Sequence, residues 1–170
     1  GRNMERLYQR IADEGHSIGM HSTNHVYATV YASEEAFLED TKKIRDFIYL
    51  VTGQESNIYR FPGGSSNRVS QVDMHVFGNA LQNEGIKYYD WNISSQDASV
   101  IKPSSAEIVR NVTKRLASYD EAIILFHDAQ SKDTTVAALP AIIEYILGME
   151  NTVLLPITSD TKPVQHMTVE

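Results

Sequence analysis

Apolar side chains recur along the chain at two spacings, one helical and one strand-like, and the two alternate. Met4, Leu7, Tyr8 and Ile11 keep helical spacing behind Asn3 as a candidate N-cap and stop at Gly15, so the chain is predicted to open on a helix. A short apolar run at 17–20 follows. Ser33, with Glu34 and Glu35 in the first turn, predicts a second helix that carries Phe37, Thr41, Ile44 and Ile48 on one face and ends before Gly53. Residues 58–61 read as a strand that Pro62, Gly63 and Gly64 end abruptly. Val72, Val76, Ala80 and Leu81 mark a helix closed by Gly85, and a further strand is expected over 86–91. Ser104 and Glu107 form a capping-box pattern ahead of Ile108, Val112 and Leu116. The continuous apolar run 122–126 has strand length and reads as buried on both faces. A last helix at 135–147 contains Pro140, and 152–155 reads as a closing strand.

Strand and helix in alternation imply parallel strands joined by right-handed helical crossovers, hence an α/β fold. No Gly-rich dinucleotide fingerprint is present, which favours a barrel-like arrangement over a nucleotide-binding one. In such barrels the chemistry sits at C-terminal strand ends. Polar clusters stand at four of them: His21 after the first strand, Pro62-Gly63-Gly64 after the second, 92–97 after the third, and His127-Asp128 after the fourth. Convergence of His21, His25, Arg60, Asp97 and His127 on one cleft is the expectation.

Composition narrows the classes. The 170 residues include 15 Lys+Arg and 22 Asp+Glu, a formal net charge of −7, with no basic run to overcome it, so nucleic acid is not an expected partner. Hydrophobic residues at 42% suffice for a packed core. With no cysteine, a metal could be held only by His, Asp or Glu. No apolar stretch is long enough to span a bilayer, and no signal-peptide pattern opens the chain.

His21-Ser22-Thr23-Asn24-His25 places two imidazoles four residues apart, a spacing that on one helical turn puts both on the same face within reach of one metal ion. Spacing alone also fits two solvated histidines in a loop. His16, His75 and His166 fall in no constellation and read as surface or packing residues. Ser65, Ser66 and Asn67 read as turn and cap residues. Tyr88, Tyr89 and Trp91 lie in a predicted strand, where alternation sends some inward; a sugar-stacking platform is the alternative, with Trp91 its candidate. Asp128 either orients His127 or caps the following segment.

The run from Gly15 to His25 resembles the second motif of the NodB-type polysaccharide deacetylases, carbohydrate esterase family 4. Other motifs of that family recur in order. Arg60-Phe61-Pro62-Gly63-Gly64 is similar to the third, Trp91 to Asp97 to the fourth with Ala98 where a Trp often follows, and Ile124-Leu125-Phe126-His127-Asp128 to the fifth. A closing segment from Leu154 to Pro163 is of a kind some members carry.

The resemblance implies a distorted (β/α) barrel of the NodB type over residues 1–158, followed by a polar tail at 159–170. It implies that His21 and His25 bind a divalent metal, zinc first, with cobalt or nickel as alternatives. Arg60 orients the catalytic base, the Gly63 N–H helps bind the oxyanion, and Trp91 and Leu125 line the substrate site. His127 is the general acid and Asp97 tunes it. The reaction implied is removal of N-acetyl groups from a polysaccharide such as peptidoglycan or chitooligosaccharide, at the cell envelope or outside the cell. The alternative is a catalytically inactive carbohydrate-binding domain on the same fold.

One departure stands out. The family's first motif, Thr-Phe-Asp-Asp, supplies the base and the third metal ligand, and these residues contain no Asp-Asp pair. The resemblance therefore implies that the first barrel strands lie outside this sequence. By itself the chain would then be nearly inactive, bind metal weakly, and associate through unpaired barrel edges.

Overall fold

A computed structural model describes residues 2–169; Gly1 and Glu170, the outer limits of the expected domain and tail, lie outside the described residues. The chain divides into two compact units, Gly1–Asp90 with Pro156–Glu170, and Trp91–Leu155.

In the first unit, helix α1 (Arg2–Asp13) closes as its punctuation requires. Gly15 takes a φ of +82°, its N–H donates to the Ala12 carbonyl at 3.0 Å, and the His16 N–H donates to Ile11 at 3.1 Å, a Schellman closure. Asn3 does not cap this helix, because the helical backbone already includes Arg2. A one-turn helix, α2 (Tyr27–Val30), follows where none was expected. Helix α3 (Glu34–Thr52) starts at Ser33, whose hydroxyl accepts from the Ala36 N–H at 3.2 Å, and ends on Gly53 at a φ of +71°. Phe37, Thr41 and Ile48 are buried on its inner face.

Strand β1 (Ile58–Tyr59) pairs in parallel with β2 (Lys87–Tyr88), and Met20 bridges to the other side of β1 at Tyr59. Helix α4 (Met74–Asn83) begins at Asp73, whose carboxylate accepts from the His75 N–H at 3.0 Å. Aromatic side chains fill the core. Phe37 lies within 4.9–6.4 Å, between ring centroids, of Tyr31, Tyr59, Phe61 and Phe77, and edge-to-face pairs such as Phe37–Tyr59 suit the ring quadrupoles.

The strand expected over 86–91 is formed only at β2, and a further strand, in a different sheet, follows beyond it. After β2, the Asp90 N–H donates to the Val164 carbonyl at 2.7 Å instead of continuing the ladder. Strand β3 (Ile93–Ser94) then pairs in parallel with β4 (Ile124–Leu125) in the second unit. The segment read as a polar tail is tied to the first unit. The Tyr88 hydroxyl donates to the Met167 carbonyl at 2.6 Å, the His166 N–H to Asp90 at 2.8 Å, and the Met167 N–H to the Ser65 hydroxyl at 3.0 Å.

In the second unit the capping box forms as read. The Ser104 hydroxyl accepts from the Glu107 N–H at 3.3 Å and the Glu107 carboxylate accepts from the Ser104 N–H at 2.8 Å, opening α5 (Ser105–Leu116). Helix α6 (Asp133–Leu147) holds Pro140 within it and buries Ala138, Ile142 and Ile146 against Ile108, Val112 and Leu116 of α5. Two expectations need correction. Of the run 122–126 Leu125 is buried, Ile124 and Phe126 are half-buried against the α5–α6 cluster, Ile123 is half-buried and Ala122 is exposed. Residues 152–155 form no strand: among the described residues no ladder reaches them, and Val153, Leu154 and Leu155 stay exposed.

Candidate active site

The predicted site residues fall in both units. In the first, His21 directly follows Met20, whose N–H donates to the Ile58 carbonyl and whose carbonyl accepts from the Arg60 N–H, each at 2.9 Å. That ladder delivers His21 to a strand end. The His21 Nδ1 lies 2.7 Å from the Arg60 carbonyl oxygen, and a carbonyl can only accept, so Nδ1 carries the proton and Nε2 carries the lone pair of the neutral ring. This second hydrogen bond is what a metal-ligating imidazole needs to fix its tautomer and orientation.

His25 reaches its neighbour by a different route from the expected helical turn. Residues 21–26 are loop, with Ser22 at a φ of +68° and His25 at +56°, left-handed angles that non-glycine residues seldom adopt. The Ser22 hydroxyl accepts from the His25 N–H at 2.9 Å, and the loop folds so that the two imidazole centroids stand 5.0 Å apart, edge to face. His21 is half-buried and His25 exposed. Two imidazole nitrogens on one side of a loop fit a borderline divalent cation such as zinc. Among the described residues no cluster of three or more His, Cys, Asp or Glu is placed to hold a metal ion.

Beyond Arg60 the chain turns sharply, the Gly64 N–H donating to the Phe61 carbonyl at 2.8 Å, with Gly63 at a φ of +77° and Gly64 at +84°. Gly63 is exposed, whereas its surroundings are fastened. The Tyr31 hydroxyl donates to the Pro62 carbonyl at 2.8 Å, and burial raises the pKa of that phenol, which keeps it a donor. The Ser65 N–H and hydroxyl donate to the buried Asp90 carboxylate at 2.8 and 2.5 Å. A backbone N–H held on such a turn is preorganised to meet an oxyanion.

In the second unit, Asp97 and His127 form a pair. The Asp97 side chain is 1% exposed and that of His127 39%. Asp97 Oδ1 lies 2.8 Å from His127 Nδ1, while Oδ2 accepts from the His127 N–H at 2.8 Å and from the Thr135 hydroxyl at 3.0 Å. Burial pushes the Asp97 carboxyl up, but the hydrogen bonds from the His127 ring and backbone, Thr135 and Ser95 outweigh it and hold the pKa below its ordinary value. An ionised Asp97 can only accept, so His127 donates through Nδ1 and Nε2 becomes the nitrogen that exchanges a proton. It is Asp97 that holds this ring; Asp128 is exposed. Leu125 is buried on β4, two residues before His127, and Trp91 is half-buried between β2 and β3, on neither strand.

Four buried polar residues hydrogen-bonded to these segments were not singled out from the sequence: Tyr31, Asp40, Asp90 and Thr135. Each is a polar group at a buried position, and two left a trace in the pattern. Asp40 lies three residues after Phe37 on the inner face of α3, and Asp90 ends an otherwise apolar and aromatic run.

Residues 2–96 match the family model described as polysaccharide deacetylase, over more than half of the chain. The chain belongs to the polysaccharide deacetylase family. Among solved structures, the catalytic domain of the peptidoglycan N-acetylglucosamine deacetylase from Eubacterium rectale is 31% identical, with a TM-score of 0.92 over 99% of this chain and 77% of that one. The polysaccharide deacetylase Bc1974 from Bacillus cereus is 27% identical, with a TM-score of 0.81 over 97% of this chain and 78% of its own. A peptidoglycan-N-acetylglucosamine deacetylase of Bacillus cereus is 30% identical over 142 residues, 81% of this chain and 49% of its own length. The chain spans about half the length of the curated relatives it matches. The fold is therefore the NodB-type fold of carbohydrate esterase family 4, as the motifs implied.

Proposed function

We propose that this chain takes part in metal-assisted hydrolysis of N-acetyl groups on a cell-wall polysaccharide, peptidoglycan first, at the cell envelope or outside the cell. The observation that carries the reading is the Asp97–His127 pair: a buried carboxylate fixing one imidazole nitrogen of a half-exposed ring, in segments that resemble the family's fourth and fifth motifs. Relatives named for activity on peptidoglycan N-acetylglucosamine support the substrate class. No helix is long and apolar enough to cross a membrane among the described residues.

The chemistry divides among the chain's own groups. His21 and His25 would hold a divalent cation, which when bound supplies Lewis acidity and brings the pKa of a water to ~7. Hydrolysis would add a water oxygen to the acetyl carbonyl carbon, with the water's proton passing to a base such as the Asp that the family's first motif supplies. The Gly63 N–H donates to the carbonyl oxygen as negative charge builds on it. His127 gives its Nε2 proton to the departing amine as the C–N bond breaks, and acetate leaves. Asp97 keeps the ring oriented throughout.

Acetate release from N-acetylated chitooligosaccharide and from peptidoglycan, with zinc added, tests this. The 170-residue chain is expected to be slow alone, since its two imidazoles are one short of the three ligands usual in catalytic zinc centres. It should gain activity when a segment carrying Thr-Phe-Asp-Asp is joined ahead of it. His127→Ala should then cost ~100-fold or more in turnover. Saccharide binding with no acetate release in either form would establish the alternative, a carbohydrate-binding domain without catalysis.

A further inference from the structure

We propose that Asp40 is the positioning residue of the His21–His25 pair: by holding Thr23, it keeps His25 turned toward His21. The consequence for metal affinity rests on the reading given above, whereas the hold on the loop does not.

Asp40 is 7% exposed and stands on the inner face of α3 with Phe37, Thr41 and Ile48, the charged group among the buried residues of that helix. A carboxylate there is costly unless it is hydrogen-bonded. Thr23 supplies the bonds. Its N–H lies 3.2 Å from both carboxylate oxygens, and its hydroxyl donates to Oδ1. Thr23 is midway between the two histidines, so the rigid 19-residue helix grips the loop at its centre.

The loop needs that grip. Ser22 and His25 both hold left-handed backbone angles, and such angles persist at non-glycine residues only where the surroundings enforce them. Hydrogen bonds internal to the loop, Ser22 to His25 and Asn24 to Val26, shape it but attach it to nothing. His21 has its own attachment through the Arg60 carbonyl. His25 is exposed, and its placement relative to His21 depends on what fixes the intervening residues. The His25 ring also meets Tyr27 of α2 edge to face, 5.4 Å between centroids, and among the described residues Asp40 is the group from another element that hydrogen-bonds the stretch between the two histidines.

Amide hydrogen exchange of the metal-free chain, followed residue by residue, reads the hold directly. In Asp40→Ala the Thr23 and His25 amides should exchange at least ~10-fold faster while the middle of α3 keeps its protection. Zinc affinity should fall ~10–100-fold, the usual cost of losing a group that orients a ligand. Asp40→Glu should recover part of both, because it restores the acceptor. If Asp40→Ala fails to fold, Thr23→Val tests the same link from an exposed position and should give the same directions. Unchanged loop exchange, or a loosened loop that binds zinc as wild type does, overturns the proposal. A wild-type chain that binds no zinc, with loop exchange that still responds to Asp40, supports the positioning role and counts against the metal reading alone.

Discussion

Gly63 shows how narrowly single positions are constrained here. Its φ of +77° disfavours any L side chain, and an added Cβ would stand 3.2 Å from both the Tyr27 hydroxyl oxygen and the Asn67 Cβ. Gly63→Ala should therefore cost about 1–2 kcal/mol of stability by urea unfolding and lower acetate release as the N–H moves. Asp97 gives a pH-dependent counterpart. Its folded carboxyl has a pKa below the ordinary value, so its contribution to stability is complete above the unfolded value of ~3.9 and is lost as pH falls through the folded one. Asp97→Asn should lose about 2 kcal/mol at pH 7 and show little further loss on that account in acid. Denaturant midpoints at pH 7 and pH 3 check this; a difference between wild type and variant that does not narrow in acid would contradict it. The candidate residues His21, His25, Asp97 and His127 could be picked out from side-chain type and spacing, and the structure sets His21 beside His25 and Asp97 beside His127. Asp40 and Asp90 could not be, since a carboxylate in an apolar run shows its purpose only when its partners, Thr23 and Ser65, arrive from distant segments.

At the scale of elements, helices were legible from their ends and strands only from their neighbours. Ser33, Ser104 with Glu107, Gly15 and Gly53 act within a few residues of themselves, and each stands where its local chemistry requires. Ser104→Ala should accordingly destabilise the chain by about 1 kcal/mol, with a lowered denaturant midpoint and an unchanged slope. A null effect would mean that packing of Ile108, Val112 and Leu116 alone sets the start of α5. Strands behave otherwise because a ladder needs a second strand. The run 86–91 is strand only at β2, Asp90 donating instead to Val164 of the returning chain, and 152–155, apolar as it is, remains exposed with no ladder among the described residues. The polar composition of 159–169 likewise hid its attachments, most of which are made by backbone N–H and C=O groups that composition does not report.

At the scale of the whole molecule, the candidate site residues are divided between two compact units. The imidazole pair and the Gly63 turn belong to Gly1–Asp90 with Pro156–Glu170, and the Asp97–His127 pair belongs to Trp91–Leu155. Each set is fastened by its own unit's hydrogen bonds, so a substitution in one should leave the other's geometry intact. The central claim is that His21 and His25 hold the metal while His127 serves proton transfer. Equilibrium dialysis of wild type, His25→Ala and His127→Ala against the same buffered zinc, followed by elemental analysis, tests it most directly. The prediction is that His127→Ala retains as much zinc as wild type and His25→Ala loses more than ~10-fold in affinity. Equal loss in both variants, or full retention by His25→Ala, would contradict it.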